Sequence, residues 1–249
     1  VNANLASLFT GGAPTLTSAE IKEVKDAYAK MTSINCYRNI DEAVRNKTSY
    51  AGTIFLDDTY ASAYFRKGSL AFPPYGILAS SMEHEFIHMY QRDVQGKKVD
   101  TDKEKRDTGM MEFELAFYQG IIRYIHAGYS WTFKGEDGDP SYQSLWTSGL
   151  TDPSLIPKYE REFQTYVASI CANGKPSSID INEFVKWSNI FGEYSRGYSG
   201  QGYKFGNYDY GTSCITSLLK LYSFYCYEND IVFFICFSCI SRYYCSVNI

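Results

Sequence analysis

Histidine is scarce in this chain, at three residues in 249, so chemistry that needs imidazole has few places to occur. No run of Lys and Arg stands clear of acids to form a basic face. The net charge of −4 is mild and both signs are interspersed, which argues against a nucleic-acid partner. The densest charged stretch, Gly96 to Asp107, mixes both signs and reads as a solvated loop. No apolar run approaches the ~20 residues that a membrane-spanning helix needs, and the run Ile231 to Ile240 has only ten. Nor is there a disulfide framework. The cysteines number seven, an odd count, and five of them (Cys214, Cys226, Cys236, Cys239, Cys245) crowd into the last 36 residues. The chain opens with Val1, and no charged-then-apolar leader follows. Either a targeting segment has been removed or this is part of a longer polypeptide, which weakly favours a secreted or cell-surface setting.

What the chain does have is length enough to bury a real core and many rings, with 23 Tyr and 16 Phe. Amphipathic rings suit partly wet grooves, although a plain compositional bias accounts for them equally well. Thr17-Ser-Ala-Glu20 has capping-box form, and Ile21, Val24, Tyr28 and Met31 follow at helical spacing, which predicts a helix over 18–32. A short helix over Asn39–Lys47 is expected next, after irregular opening residues to Thr15. Gly52–Leu56, Ala63–Phe65 and Ser69–Phe72 read as strands of a small, largely antiparallel sheet, with a turn at Lys67-Gly68. Helices are then predicted over Gly76–Val94, Thr108–Ala127, Pro157–Ala172 and Asp180–Tyr194, with an aromatic loop over Gly128–Asp152. Arg196–Gly211 is Gly/Tyr-rich and reads as loop. Beyond it the composition shifts to Phe, Ile, Tyr, Cys and Ser, dividing the chain into a domain over 1–211 and a tail over 212–249. The tail could be a hydrophobic strand, a membrane-associating segment or a misread frame.

Two of the three histidines lie in Glu83-His84-Glu85-Phe-Ile-His88, inside a segment with helical character. On a helix His84 and His88 project about 40° apart with roughly 6 Å of rise, so both imidazoles can reach one zinc ion. Glu85 then stands beside the metal, positioned to take a proton from its water. Two satisfied surface histidines are the bland alternative. With so few histidines, however, a chance match in the chain is on the order of one in several hundred. A catalytic zinc keeps three protein ligands and one open position. His126 is the only other histidine, but Glu112 and Glu114, at the start of the next helix, are the better candidates for the third ligand.

His-Glu-Phe-Ile-His, followed about two dozen residues later by Glu112-Phe-Glu114 at a helix start, resembles the gluzincin group of zinc metallopeptidases. The resemblance covers roughly Ser69 to Ile125. It implies an α+β, zincin-like fold, mostly helical, with a small mainly antiparallel sheet packed beside the HExxH helix. It also implies one zinc ion per chain on His84, His88 and Glu112, with Glu85 as catalytic base, in a domain over 1–211. Alignment on the group's pattern favours Glu112 over Glu114 as ligand. The aspartate that commonly orients a zinc histidine is Ala116 here, so Glu83, Glu114 or Gln119 must take that part. The string also resembles SprT-like proteases, but their third histidine would have to be His126, too far along the helix. Zinc would lower the pKa of bound water toward about 7, Glu85 would move the proton to the leaving amine, and a Tyr or His would stabilise the oxyanion. Tyr90, His126, Tyr203, Tyr208 and Tyr210 are the candidates for that donor. The architecture further implies a strand that pairs with an extended peptide substrate, for which Ser69–Phe72 is the natural candidate, unless it is an ordinary sheet strand.

The expected function is therefore a zinc-dependent metallopeptidase acting on a peptide or protein substrate. The alternatives are an inactive zincin-like module that binds peptide or glycan, and a toxin-type protease domain of a larger secreted protein. Cys236-x-x-Cys239 lacks the turn residues of a second zinc site, and Lys134–Asp139 lacks calcium-loop spacing.

Overall fold

The computed structural model describes residues 3–97, 105–126, 128, 146–172, 179–203 and 205. The expectations for the 212–249 tail, its cysteines, the Lys134–Asp139 turn, Tyr208 and Tyr210 fall outside these residues. Within them the protein is mostly helical with one small sheet, an α+β arrangement.

The elements are α1 (Ala3–Leu8), α2 (Ser18–Ser33), α3 (Asn35–Lys47), β1 (Ile54–Leu56), β2 (Tyr64–Arg66), β3 (Ser69–Phe72), α4 (Ala79–Met89), α5 (Lys105–His126), α6 (Ile156–Ile170) and α7 (Ile181–Tyr194). The Thr17 capping box forms in full, with Thr17 and Glu20 each satisfying the other's backbone amide. Asp180 caps α7 in the same spirit through the amides of Asn182 and Glu183. Two expectations need correction. The opening residues are not irregular throughout, because Leu5 and Leu8 are fully buried and draw Ala3–Leu8 into a helix. α3 starts at Asn35 rather than Asn39, with Ile34 serving as both the C-cap of α2 and the N-cap of α3.

The sheet is mixed rather than mainly antiparallel. Its order is β1-β3-β2, with β1 parallel and β2 antiparallel to β3. The hairpin at Lys67-Gly68, both residues at positive φ, pairs Arg66 with Ser69 and fixes the β2–β3 register. β1 must then take β3's other edge. This topology overturns Ser69–Phe72 as a substrate-pairing edge: β3 is central and paired on both sides, and β2 is the edge beside the motif.

Two hydrophobic cores share α5. Leu115, Tyr118 and Ile122 pack into a core with α1–α4 and the sheet. Met110, Phe113, Phe117 and Ile121 pack into a second core with α6 and α7, around Phe163, Phe184, Trp187 and Phe191. Each set recurs at i, i+3, i+7 spacing, so α5 carries two apolar stripes. Phe113 is fully buried, with its ring 4.9 Å from Phe184 and 5.6 Å from Phe191. Phe113→Ala should therefore cost about 3–5 kcal/mol in urea unfolding. A loss below about 1 kcal/mol would contradict this packing.

Candidate metal centre

The predicted 76–94 helix begins later and ends differently. α4 runs from Ala79 to Met89 and passes into a π turn over Tyr90–Val94, closed by a Gln95 amide to Tyr90 carbonyl bond of 3.1 Å. Wide turns of this kind occur often at functional sites. Gly96, at φ 74, then reverses the chain and Lys97 turns inward. α5 returns alongside α4 and presents Glu112 to the two histidines.

The Nε2 atoms of His84 and His88 lie 3.1 Å apart. Glu112 Oε1 lies 3.2 Å from His88 Nε2, and Glu112 Oε2 lies 3.7 Å from His84 Nε2. Ligands held tetrahedrally at about 2.0–2.1 Å stand about 3.3–3.4 Å from one another, so these separations fit a single ion. Among the described residues, His84, His88 and Glu112 are the only such group able to hold a metal. The three are partly exposed, which leaves one side open. Glu85 is buried, with Oε1 4.0 Å from His84 Nε2, and accepts a hydrogen bond from the backbone amide of Phe65 on β2.

The electrostatics of the metal-free site are strongly coupled. Burial lowers His84 to about 4, aided by the neighbouring His88, so His84 stays neutral and ready to ligate. Burial would lower His88 too, but the Glu112 carboxylate outweighs it and raises His88 to about 9. Burial opposes ionisation of Glu112, yet His88, His84 and the Tyr198 hydroxyl hold it at about 2. Glu85 is pushed up to about 7, chiefly by burial. Such divergent shifts in one place are characteristic of functional sites.

Glu114 is not at the ligand cluster. It is fully buried and pairs with Lys97, a close contact between two buried side chains. Gln91 links this pair to the site: its Nε2 donates to Glu114 Oε2 at 2.8 Å and to the Met111 carbonyl at 3.0 Å. Its Oε1 lies 2.9 Å from His88 Nδ1. With both amide protons spent on α5, Oε1 must accept from Nδ1–H, which leaves Nε2 as the nitrogen facing Glu112 and His84, protonated in the metal-free site and the one to ligate once that proton is lost. Glu114 thus orients His88 indirectly, through Gln91.

The other residues expected from sequence scatter. Glu83 faces away from the site, where it meets Tyr37 and Arg123. Gln119 makes no hydrogen bond to either imidazole among the described residues. Tyr90 is packed in the α1–α4 core. His126 is exposed at the far end of an unbroken α5, about 21 Å of helix from Glu112. Among the described residues Tyr203 meets the ring of Tyr198, and it makes no hydrogen bond to the cluster. The hydroxyl at the site belongs instead to Tyr198, which donates to Glu112 Oε2 at 2.6 Å from the turn after α7. Gln91 had a readable signal, its i+3 spacing from His88. Tyr198 had none, being 86 residues from its partner.

No known family, curated protein or solved structure matches this chain. The site must be read from its own geometry.

Two outcomes test the support around His88. Gln91→Ala should weaken zinc binding about 10–100-fold in a chelator competition, without abolishing it; unchanged affinity would remove Gln91 from the site. Lys97→Met alone should cost about 3–5 kcal/mol by leaving Glu114 buried and unpaired, and Lys97→Met with Glu114→Met should recover most of that loss. Additive costs in the double variant would contradict the pairing.

Proposed function

We propose that this chain is a zinc-dependent metallopeptidase of zincin-like fold, hydrolysing peptide bonds in a peptide or protein substrate with one zinc ion per chain. The observation that carries this reading is the convergence of two Nε2 atoms and one carboxylate at ligand spacing, with a buried carboxyl, Glu85, beside them. The mixed sheet next to α4 is consistent with the fold.

When bound, zinc supplies Lewis acidity, polarising the scissile carbonyl and bringing the pKa of a water toward about 7. His84, His88 and Glu112 hold it, and Gln91 keeps His88 in the ligating tautomer. Glu85 takes the proton of the attacking water and delivers it to the leaving amine. Tyr198 brings a hydroxyl to the ligand carboxylate and is our candidate for the donor that stabilises the oxyanion. The edge strand β2 is our candidate for pairing with the extended substrate, because the Phe65 amide bonded to Glu85 ties that edge to the site. An inactive binding module finds less support, since Gln91 and Glu114 make good the missing aspartate that motivated it. No helix among the described residues is long and apolar enough to cross a membrane.

Glu85→Gln should keep one zinc per chain and lose at least about 100-fold in hydrolysis of a broad peptide library. Near-wild-type turnover in that variant would contradict the mechanism.

A further inference from the structure

Beside the metal centre lies a cavity of about 190 Å³. It is walled by the β2–β3 hairpin at Phe65 to Lys67, by His88 and Arg92, and by α5 at Met111 and Glu112. Since His88 and Glu112 belong to the metal centre, whatever fills this space lies next to the reacting bond.

Its charge is one-sided. Arg66 and Lys67 contribute two cations, Arg92 a third whose charge is balanced by its ion pair with Asp93, and the one acid in the wall, Glu112, belongs to the metal centre. Arg92 is held in place: its Nε donates to Asp93 Oδ1 at 2.9 Å, and its guanidinium lies 4.2 Å from the centre of the Phe65 ring. Arg66 and Lys67 are exposed, and neither is ion-paired among the described residues. Bound zinc would add further positive charge, and the walls of a cleft concentrate such a field.

Lys67 carries a second, independent sign. Its φ of 50 makes it the sole non-glycine residue with positive φ among the described residues. The first position of this two-residue turn is one that Asn, Asp or Gly occupies with little strain. A lysine there keeps a cation on the cavity rim at the expense of backbone strain, and strain of this kind clusters at ligand clamps.

We propose that this cavity receives a carboxylate of the substrate, so that cleavage occurs next to an acidic side chain or next to a free C-terminus. The proposal rests on the metallopeptidase reading and names the substrate class for the same site. Arg66 and Lys67 supply the selecting charge, and Arg92 forms a fixed part of the cavity wall.

The test uses the zinc-loaded full chain and fluorogenic peptides that differ only in Glu or Gln at each position flanking the cut, each made as C-terminal acid and amide. Glu peptides, or free acids, should be cut with kcat/KM about tenfold or more above their Gln or amide counterparts. Which pair differs identifies the source of the carboxylate. In Arg66→Gln with Lys67→Asn, a change that suits the turn, the ratio should fall to within about twofold. Equal rates for all pairs in the wild type overturn the proposal. So does a preference that survives in the double variant, because zinc alone would then be choosing. If no peptide is cut, fluorescence anisotropy of the labelled Glu and Gln peptides on the same protein separates the two ideas. Tighter binding of Glu, lost in the double variant, keeps the carboxylate site while the peptidase reading falls; equal binding overturns the site as well.

Discussion

Helix α5 is buried along two separate stripes at once, roughly a third of a turn apart, and the placement of Glu112 and Tyr198 depends on that. Its Leu115, Tyr118 and Ile122 stripe locks it against the helices and sheet that carry the histidines. Its Phe113 and Phe117 stripe is clasped by the aromatic residues of α6 and α7. A helix held this way cannot rotate without losing one core or the other. Glu112, on the strip between the stripes, is therefore delivered to His84 and His88 by packing energy and not by its attraction to them. The same clasp brings in Tyr198, which lies beyond α7 and packs its ring 4.9 Å from Phe191.

Rigidity alone would not set the chemistry of His88, whose ring could still turn. That task falls to polar groups buried at the α4–α5 interface. Lys97, Glu114 and Gln91 are each almost wholly inaccessible, and charge burial on this scale is costly unless each member is satisfied. The arrangement meets that demand and ends on one acceptor, Gln91 Oε1, aimed at one imidazole nitrogen. The π turn and Gly96 are the local means, since they let Gln91 and Lys97 both face α5 within a few residues of the motif. The outcome is a neutral His84, a protonated His88 and an ionised Glu112, so that a metal bound there would have to displace the His88 proton.

Much of this was legible in the chain because its signals are local. The Thr17 capping box, the helical spacing of the motif and the Lys67-Gly68 turn each act over four or five residues, and each formed. The first turn bearing Glu112 and Glu114 was reachable from sequence because one loop separates two adjacent helices, and the gluzincin resemblance then favoured Glu112. The parallel pairing of β1 with β3 was not legible: strand pattern reports which residues are extended, and says nothing of which edge is filled first. Nor was Tyr198, whose place depends on the packing of a second core. The reason for Ala116 was hidden for another cause. Under the gluzincin resemblance an aspartate would have stood there, whereas the group that bonds His88 is Gln91, in the π turn just after the motif helix.

The central claim is that His84, His88 and Glu112 bind one zinc ion, and X-ray absorption at the zinc edge of the full chain tests it most directly. The account predicts one zinc per chain with only nitrogen and oxygen neighbours at about 2.0–2.1 Å, and outer-sphere scattering from two imidazoles. Sulfur neighbours at about 2.3 Å would assign the metal to cysteine. That result, or a protein without stoichiometric zinc, would contradict the account.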